Sequence, residues 1–140
     1  MCQFNIQICK EVLQVHTAFN WVQSPASGGV NIFVGTVRAL NNGKNVIRLE
    51  FDSYEPMAIS EMSKIAQQAA NQWPLHKVLI HHRVGVLLPG DVPVIIAVAS
   101  SGRIAAFDAC RFIIDKLKET VPIFKREVYP DGDEWIAAHP

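Results

Sequence analysis

Two lysines flank a proline in Asp115-Lys116-Leu117-Lys118-Glu119-Thr120-Val121-Pro122-Ile123-Phe124-Lys125-Arg126-Glu127. Pro122 cannot continue a helix and pushes Val121 toward extended backbone, so Lys118 is predicted in the last turn of a helix and Lys125 in the strand that follows. Ammonium groups carried by different elements can converge on one anionic ligand. The same lysines would also serve as solvated surface cations, with Lys118 complementing the helix C-terminus. Ser100-Ser101-Gly102-Arg103 is a second candidate, because a small polar loop entering a helix turns free N–H groups outward, and with an arginine these hold phosphate or carboxylate. N-capping by Ser100 or Ser101 would use the same loop without a ligand. Arg38 ends a β-branched run, where a guanidinium can swing onto a bound anion. If Arg38, Arg103, Lys118 and Lys125 converge, with Arg126 as a further member, the ligand carries several negative charges. A lysine crowded by other cations loses proton affinity and becomes a usable base or nucleophile.

Composition makes any anion site a local feature. Thirteen Lys and Arg balance thirteen Asp and Glu in 140 residues, so no global field draws the chain onto nucleic acid or an anionic membrane. With 49% of its residues apolar, the chain is expected to form one domain, residues 1–140, whose core needs no staples. The longest apolar stretch, Val92 to Ala99, is strand-sized and too short to span a bilayer. Lys10 and Glu11 sit where a signal peptide keeps its apolar core, and a cytoplasmic protein is expected.

Cys2, Cys9 and Cys110 are odd in number, lack Cys-x-x-Cys spacing and have no histidine at metal-ligand spacing, so neither a disulfide framework nor a metal site is indicated. Cys110 reads as a small core residue on the apolar side of a helix. His81 and His82 are neighbours on a strand, where side chains alternate between faces, so they do not chelate one ion together. A partly exposed structural histidine is expected there. No Gly-x-Gly-x-x-Gly or P-loop sequence is present, which counts against nucleotide cofactors.

The elements that must position these groups follow from periodicity. Phe4, Ile6 and Ile8 alternate as a strand, and Val12, Leu13, Phe19 and Val22 suggest a short amphipathic helix. Val30 to Val37 and Val46 to Tyr54 read as strands joined by Ala39 to Asn45, a polar Asn/Gly-rich connection expected to stay mobile on the surface. Pro56 opens a helix whose stripe is Met57, Ile59, Met62, Ile65, Ala66 and Ala69. Lys77 to Val84 and Val92 to Ser100 are further strands, with a Pro89-Gly90 turn between them. Phe107, Cys110, Ile114 and Leu117, widened by Ile113, repeat at helical spacing up to Pro122. A strand from Ile123 to Tyr129, a turn at Pro130-Asp131-Gly132-Asp133 and a short strand containing Trp135 complete the chain. The order βαββαββαββ predicts an α+β domain, a mixed β-sheet with helices packed on one side.

Five blocks carry a resemblance. They are Phe33-Val34-Gly35-Thr36-Val37-Arg38; Tyr54-Glu55-Pro56-Met57-Ala58; His82-Arg83-Val84-Gly85 with Pro89-Gly90-Asp91; Phe107-Asp108-Ala109-Cys110; and Pro122 to Glu127 followed by Gly132-Asp133-Glu134-Trp135. In this order they resemble the large, catalytic subunit of molybdopterin synthase, the MoaE family. The resemblance implies an α/β hammerhead fold and sulfur transfer. Cyclic pyranopterin monophosphate would receive two sulfurs and become the dithiolene molybdopterin, with no resident cofactor. The sulfur would arrive as a thiocarboxylate on the Gly-Gly tail of a small ubiquitin-like subunit, MoaD. The large subunit would form a homodimer inside a heterotetramer. Family active-site residues map onto Arg38, Arg103, Lys118 and Lys125, which implies direct chemistry at Lys118, an acid, base or charge-stabilising role for Lys125, and substrate binding by Arg38 and Arg103. Where the family carries His-Arg at the helix entrance, this chain has Gly102-Arg103, placing Gly102 at a substrate-binding position. The family also tends to continue past its last block into a basic tail, whereas this sequence ends at His139-Pro140.

Two other classes fit the cationic residues. One is a Schiff-base lyase or aldolase that uses Lys118 or Lys125 on a phosphorylated substrate. The other is a catalytically silent binding subunit, which Gly102 makes plausible.

Overall fold

A computed structural model describes residues 1–132 and 134–140; Asp133, the last residue of the expected turn and part of the final family block, lies outside the described residues. The elements are β1 (Gln3–Cys9), α1 (Val15–Val22), β2 (Gly29–Gly35), β3 (Leu40–Asn41), β4 (Lys44–Asn45), β5 (Arg48–Ser53), α2 (Glu55–Gln72), β6 (Leu75–Arg83), β7 (Gly85–Leu87), β8 (Val94–Ser100), α3 (Arg103–Thr120), β9 (Ile123–Val128) and β10 (Glu134–Ala137). The α+β class is as expected. The strands divide between two four-stranded sheets, β1-β6-β8-β2 and β10-β9-β5-β7, plus the β3–β4 hairpin. The first sheet is mixed: β1 runs parallel to β6, and the other pairs are antiparallel.

Helices on a single side is corrected. Every residue of β8 is buried, and a strand with no polar alternation needs cover on both faces. Val94, Ile96 and Val98 join the main core with α2 and α3. Ile95, Ala97 and Ala99 pack with Leu79 against Ala18 and Val22 of α1 on the opposite face. Burying the Val, Leu and Ile side chains among these contributes about 1.5–3 kcal/mol each. Leu49, Phe51, Leu87 and Ile123 bring the inner face of the second sheet into the main core as well. A space lined by both sheets and by the end of α3 is therefore roofed by apolar packing.

Helix faces differ from expectation in detail. α1 begins at Val15, and Val12 and Phe19 are exposed while Leu13, Ala18 and Val22 are buried. Pro56 lies in the first turn of α2, where its missing N–H leaves no bond unmade. Met57 and Phe107 point to solvent, and the buried stripe of α3 is Ala106, Ala109, Cys110, Ile113 and Leu117. Neither Ser100 nor Ser101 caps α3. The N-cap is Gly102 without a side-chain bond, Ser100 donates to the Gly102 carbonyl, and Ser101 Oγ meets His76 Nε2 at 3.2 Å. The Ala39 to Asn45 connection folds into the β3–β4 hairpin, with Asn42 at φ 50° and Gly43 at φ 76°. Left-handed backbone at both central positions is the type I′ geometry that an Asn-Gly pair adopts at least cost. No helix among the described residues is long and apolar enough to cross a membrane.

Candidate active site

Three of the cations singled out in the sequence meet at one cavity of about 160 Å³. Lys118 enters it from the last turn of α3, Lys125 from β9, and Arg38 from the segment after β2. The break at Pro122 separates the two lysines: Val121 caps the helix in extended backbone, and β9 starts two residues later. The walls are apolar, with Phe33, Phe51, Val94, Ile114 and Leu117 among them. The Glu127 carboxylate shares the same lining, and the apolar residues between the charged groups strengthen the attraction of the cations for an anion.

The Lys118 ammonium is held below the ordinary lysine range, first by partial burial and then by the neighbouring charges of Lys125 and Arg38. A share of neutral amine is thus available at lower pH than for a free lysine. Its Nζ donates to the main-chain oxygen of Pro140 at 3.0 Å, and Pro140 forms part of the cavity wall. Lys125 Nζ lies 5.4 Å from the centre of the Trp135 ring, a cation–π distance. Phe51 and Lys125 also line an adjoining open cleft of about 360 Å³ whose other apolar members are Val86, Phe124 and Ile136.

Gly102 and Arg103 do not join this cavity in the same chain. They sit at the opposite end of α3, and fifteen residues of α-helix separate Arg103 from Lys118 by about 22 Å. Both are exposed, and a side chain added at Gly102 would meet nothing within 4 Å. Arg126 is likewise elsewhere, held by Glu134 and by Glu50 at 3.5 Å. Strand alternation turns it away from the face shared by Lys125 and Glu127.

Sequence reasoning missed four members of the site or its surround. Glu127 is buried, lines the cavity and accepts hydrogen bonds at Oε2 from Asn41 Nδ2 and Tyr129 Oη, both at 2.8 Å. Its position two residues beyond Lys125 on a strand was the available signal. Asn41 and Tyr129 had none, since they meet only across the tertiary fold. His82, expected to be partly exposed, is 1% exposed, because it follows Val78 and Ile80 on the core face of β6. Its Nδ1–H donates to the Arg83 carbonyl at 2.8 Å, and its ring meets Phe51 edge-on at 5.1 Å. Cys110 is buried as expected, and burial pushes its thiol up to about 11, which leaves almost no thiolate nucleophile.

His82 carries a pH prediction. Burial, chiefly, lowers its pKa from 6.5 to about 4, so the fold holds it neutral while the unfolded chain takes up a proton below 6.5. The resulting stability is complete above that value and is lost as pH falls toward 4, amounting to about 2–3 kcal/mol by about pH 4.5. Urea titrations at about pH 7.5 and pH 4.5 check this. His82→Phe is expected to lose less stability than the unaltered chain across that interval by about the same 2–3 kcal/mol. Equal losses in the two proteins would contradict it.

The MoaE protein family model matches residues 8–120 of this chain. The molybdopterin synthase catalytic subunit of Bacillus subtilis (strain 168) is 38% identical over 130 residues, covering 93% of this chain and 83% of that protein. The Homo sapiens protein of the same name is 38% identical over 130 residues, covering 93% of this chain and 69% of its own length. Among solved structures, the X-ray crystal structure of molybdopterin synthase from Staphylococcus aureus superposes with a TM-score of 0.88 at 32% identity, covering 94% of this chain and 96% of that one.

Proposed function

The chain belongs to the MoaE protein family, and from that premise we propose that it is the catalytic subunit of a molybdopterin synthase. It transfers sulfur from the thiocarboxylated C-terminus of a small ubiquitin-like, MoaD-type subunit to cyclic pyranopterin monophosphate, forming the molybdopterin dithiolene. The observation that carries this reading is the convergence of Lys118, Lys125 and Arg38 on one apolar-walled cavity.

The residues divide the work by their placement. An extended tail ending in a thiocarboxylate brings an anion to Lys118, whose Nζ already donates to a main-chain oxygen in this structure. The depressed proton affinity of Lys118 suits an amine that must give up and regain a proton during turnover. Lys125 stabilises charge developing on the pterin, and Arg38 engages an anionic group of the substrate. No resident cofactor is required, because the sulfur arrives on the partner. The setting is cytoplasmic.

Gly102 and Arg103 retain a substrate-binding role when supplied by a second copy of the chain. Val30, Phe33, Ile104 and Phe107 are exposed apolar residues on β2 and the first half of α3, and a homodimer covering them brings the N-terminus of one α3 toward its partner's cavity. Each end of that dimer then takes one small subunit, giving a heterotetramer.

The deciding experiment incubates the protein with thiocarboxylated small subunit and cyclic pyranopterin monophosphate and detects the dithiolene product. Product formation that depends on both is expected. Its absence, or formation without the partner, would overturn the reading. The partner is also expected to bind in its carboxylate form, because ordering an extended tail needs apolar contacts beyond the tail itself, and the cleft of Val86, Phe124 and Ile136 beside Lys125 offers them. Calorimetry at micromolar concentration checks this; no heat of binding from either form would count against the heteromeric assembly.

A further inference from the structure

Arg38 and Glu127 carry opposite charges and line the same cavity, yet no ion pair joins them among the described residues. Asn41 lies between them. It sits on β3 and is 9% exposed. Its Oδ1 accepts from Arg38 Nη2 at 3.3 Å, and its Nδ2 donates to Glu127 Oε2 at 2.8 Å. Nδ2 also lies 3.4 Å from the Tyr129 hydroxyl, which in turn donates to the same carboxylate oxygen.

These partners fix the orientation of the amide. A flipped side chain would point its NH₂ at a guanidinium that only donates and its oxygen at a carboxylate that only accepts. In this orientation the amide accepts from the cation with its oxygen and donates to the anion with its nitrogen. The backbone holds it in place: Val46 N–H donates to the Ala39 carbonyl and Ile47 N–H to the Val128 carbonyl, both at 2.8 Å, so the hairpin is tied into the second sheet beside Glu127.

We propose that Asn41 is a positioning residue that spaces Arg38 from Glu127, keeping the guanidinium free for an anionic ligand and the carboxylate oriented in the cavity. Asn41 does not itself line that cavity, so it acts through the two groups it holds. Without it, a guanidinium and a carboxylate in an apolar-walled site attract strongly and close into a bidentate pair. That pair would consume the charge which binds substrate. The inference rests on the molybdopterin synthase reading only for the identity of the ligand.

Inorganic phosphate, titrated calorimetrically, is the probe that does not depend on turnover. Asn41→Leu is expected to weaken phosphate binding about ten-fold or more, the loss of one charge-assisted contact. Adding Glu127→Gln to Asn41→Leu removes the competing charge and is expected to bring phosphate affinity back to within a few-fold of the unaltered chain. A merely structural role for Asn41 predicts no such recovery. In the product assay, KM for the pterin should follow the same order. Thermal melting verifies the fold, and should Asn41→Leu not fold, Asn41→Ala removes the same hydrogen bonds without added bulk and carries the same expectation. Unchanged phosphate affinity in the single variant, no recovery in the double variant, or no phosphate binding by the unaltered chain would each overturn the proposal. If phosphate behaves as expected while the unaltered chain makes no dithiolene product, the reading of the reaction fails and the positioning role stands.

Discussion

Lys118→Ala is expected to lower single-turnover product formation by at least about a hundredfold, the usual contribution of a positioned proton carrier, while folding and partner binding persist. The side chain is partly buried where it lines the cavity and contacts Pro140, and it brings a positive charge near Lys125 and Arg38. Removing it relieves repulsion, so the melting temperature should be unchanged or slightly higher. Lys118→Arg separates charge from chemistry: it keeps the cation, but a guanidinium does not release its proton at working pH. It should therefore fail as well. Near-normal turnover by either variant, measured with thiocarboxylated partner and cyclic pterin, would remove Lys118 from the centre of the reaction. A rate lost together with the fold, seen as a lowered melting temperature, would equally deny it a chemical role.

Mixing two inactive variants is expected to restore activity. The length of α3 keeps Arg103 about 22 Å from the Lys118 of its own chain, so a site that uses both must draw them from different copies. Lys118→Ala and Arg103→Ala homodimers should each turn over poorly at low substrate concentration. After mixing and subunit exchange, about half of the dimers are mixed, and each mixed dimer has one site with both residues intact. Recovery to about a quarter of the unaltered rate is the expected result. Lack of recovery, with exchange verified by mass-labelled chains, would place Arg103 outside the site. Full activity of Arg103→Ala alone would do the same.

The cations that converge were legible because local rules place them. Proline ends a helix and an extended segment must follow, which put Lys118 and Lys125 on either side of one break. Arg38 was legible as the residue where a buried strand runs out. Gly102 and Arg103 lie apart from that cavity within one chain because the two ends of an eighteen-residue helix cannot share it, and the placement of a second copy is set by packing between chains, beyond any local pattern. The division of strands between two sheets was hidden because pairing partners are chosen by tertiary packing, not by order along the chain. The second helical layer, by contrast, was present in the unbroken apolar run of Val92 to Ala99, whose lack of alternation called for cover on both faces. Asn41 looked like loop material, and its neighbours in space, 86 and 88 positions away, are invisible to any local pattern.

The Trp135 ring beside Lys125 gives the cavity an optical handle. Indole emission responds to a nearby ammonium, and the other tryptophans lie away from the cavity, Trp21 in α1 and Trp73 after α2. With those two replaced by phenylalanine, the fluorescence of a single residue reports when Lys125 leaves the ring for an anion. Occupancy of the site then becomes a spectroscopic observable in the unlabelled protein, readable in a stopped-flow cell before any product has formed.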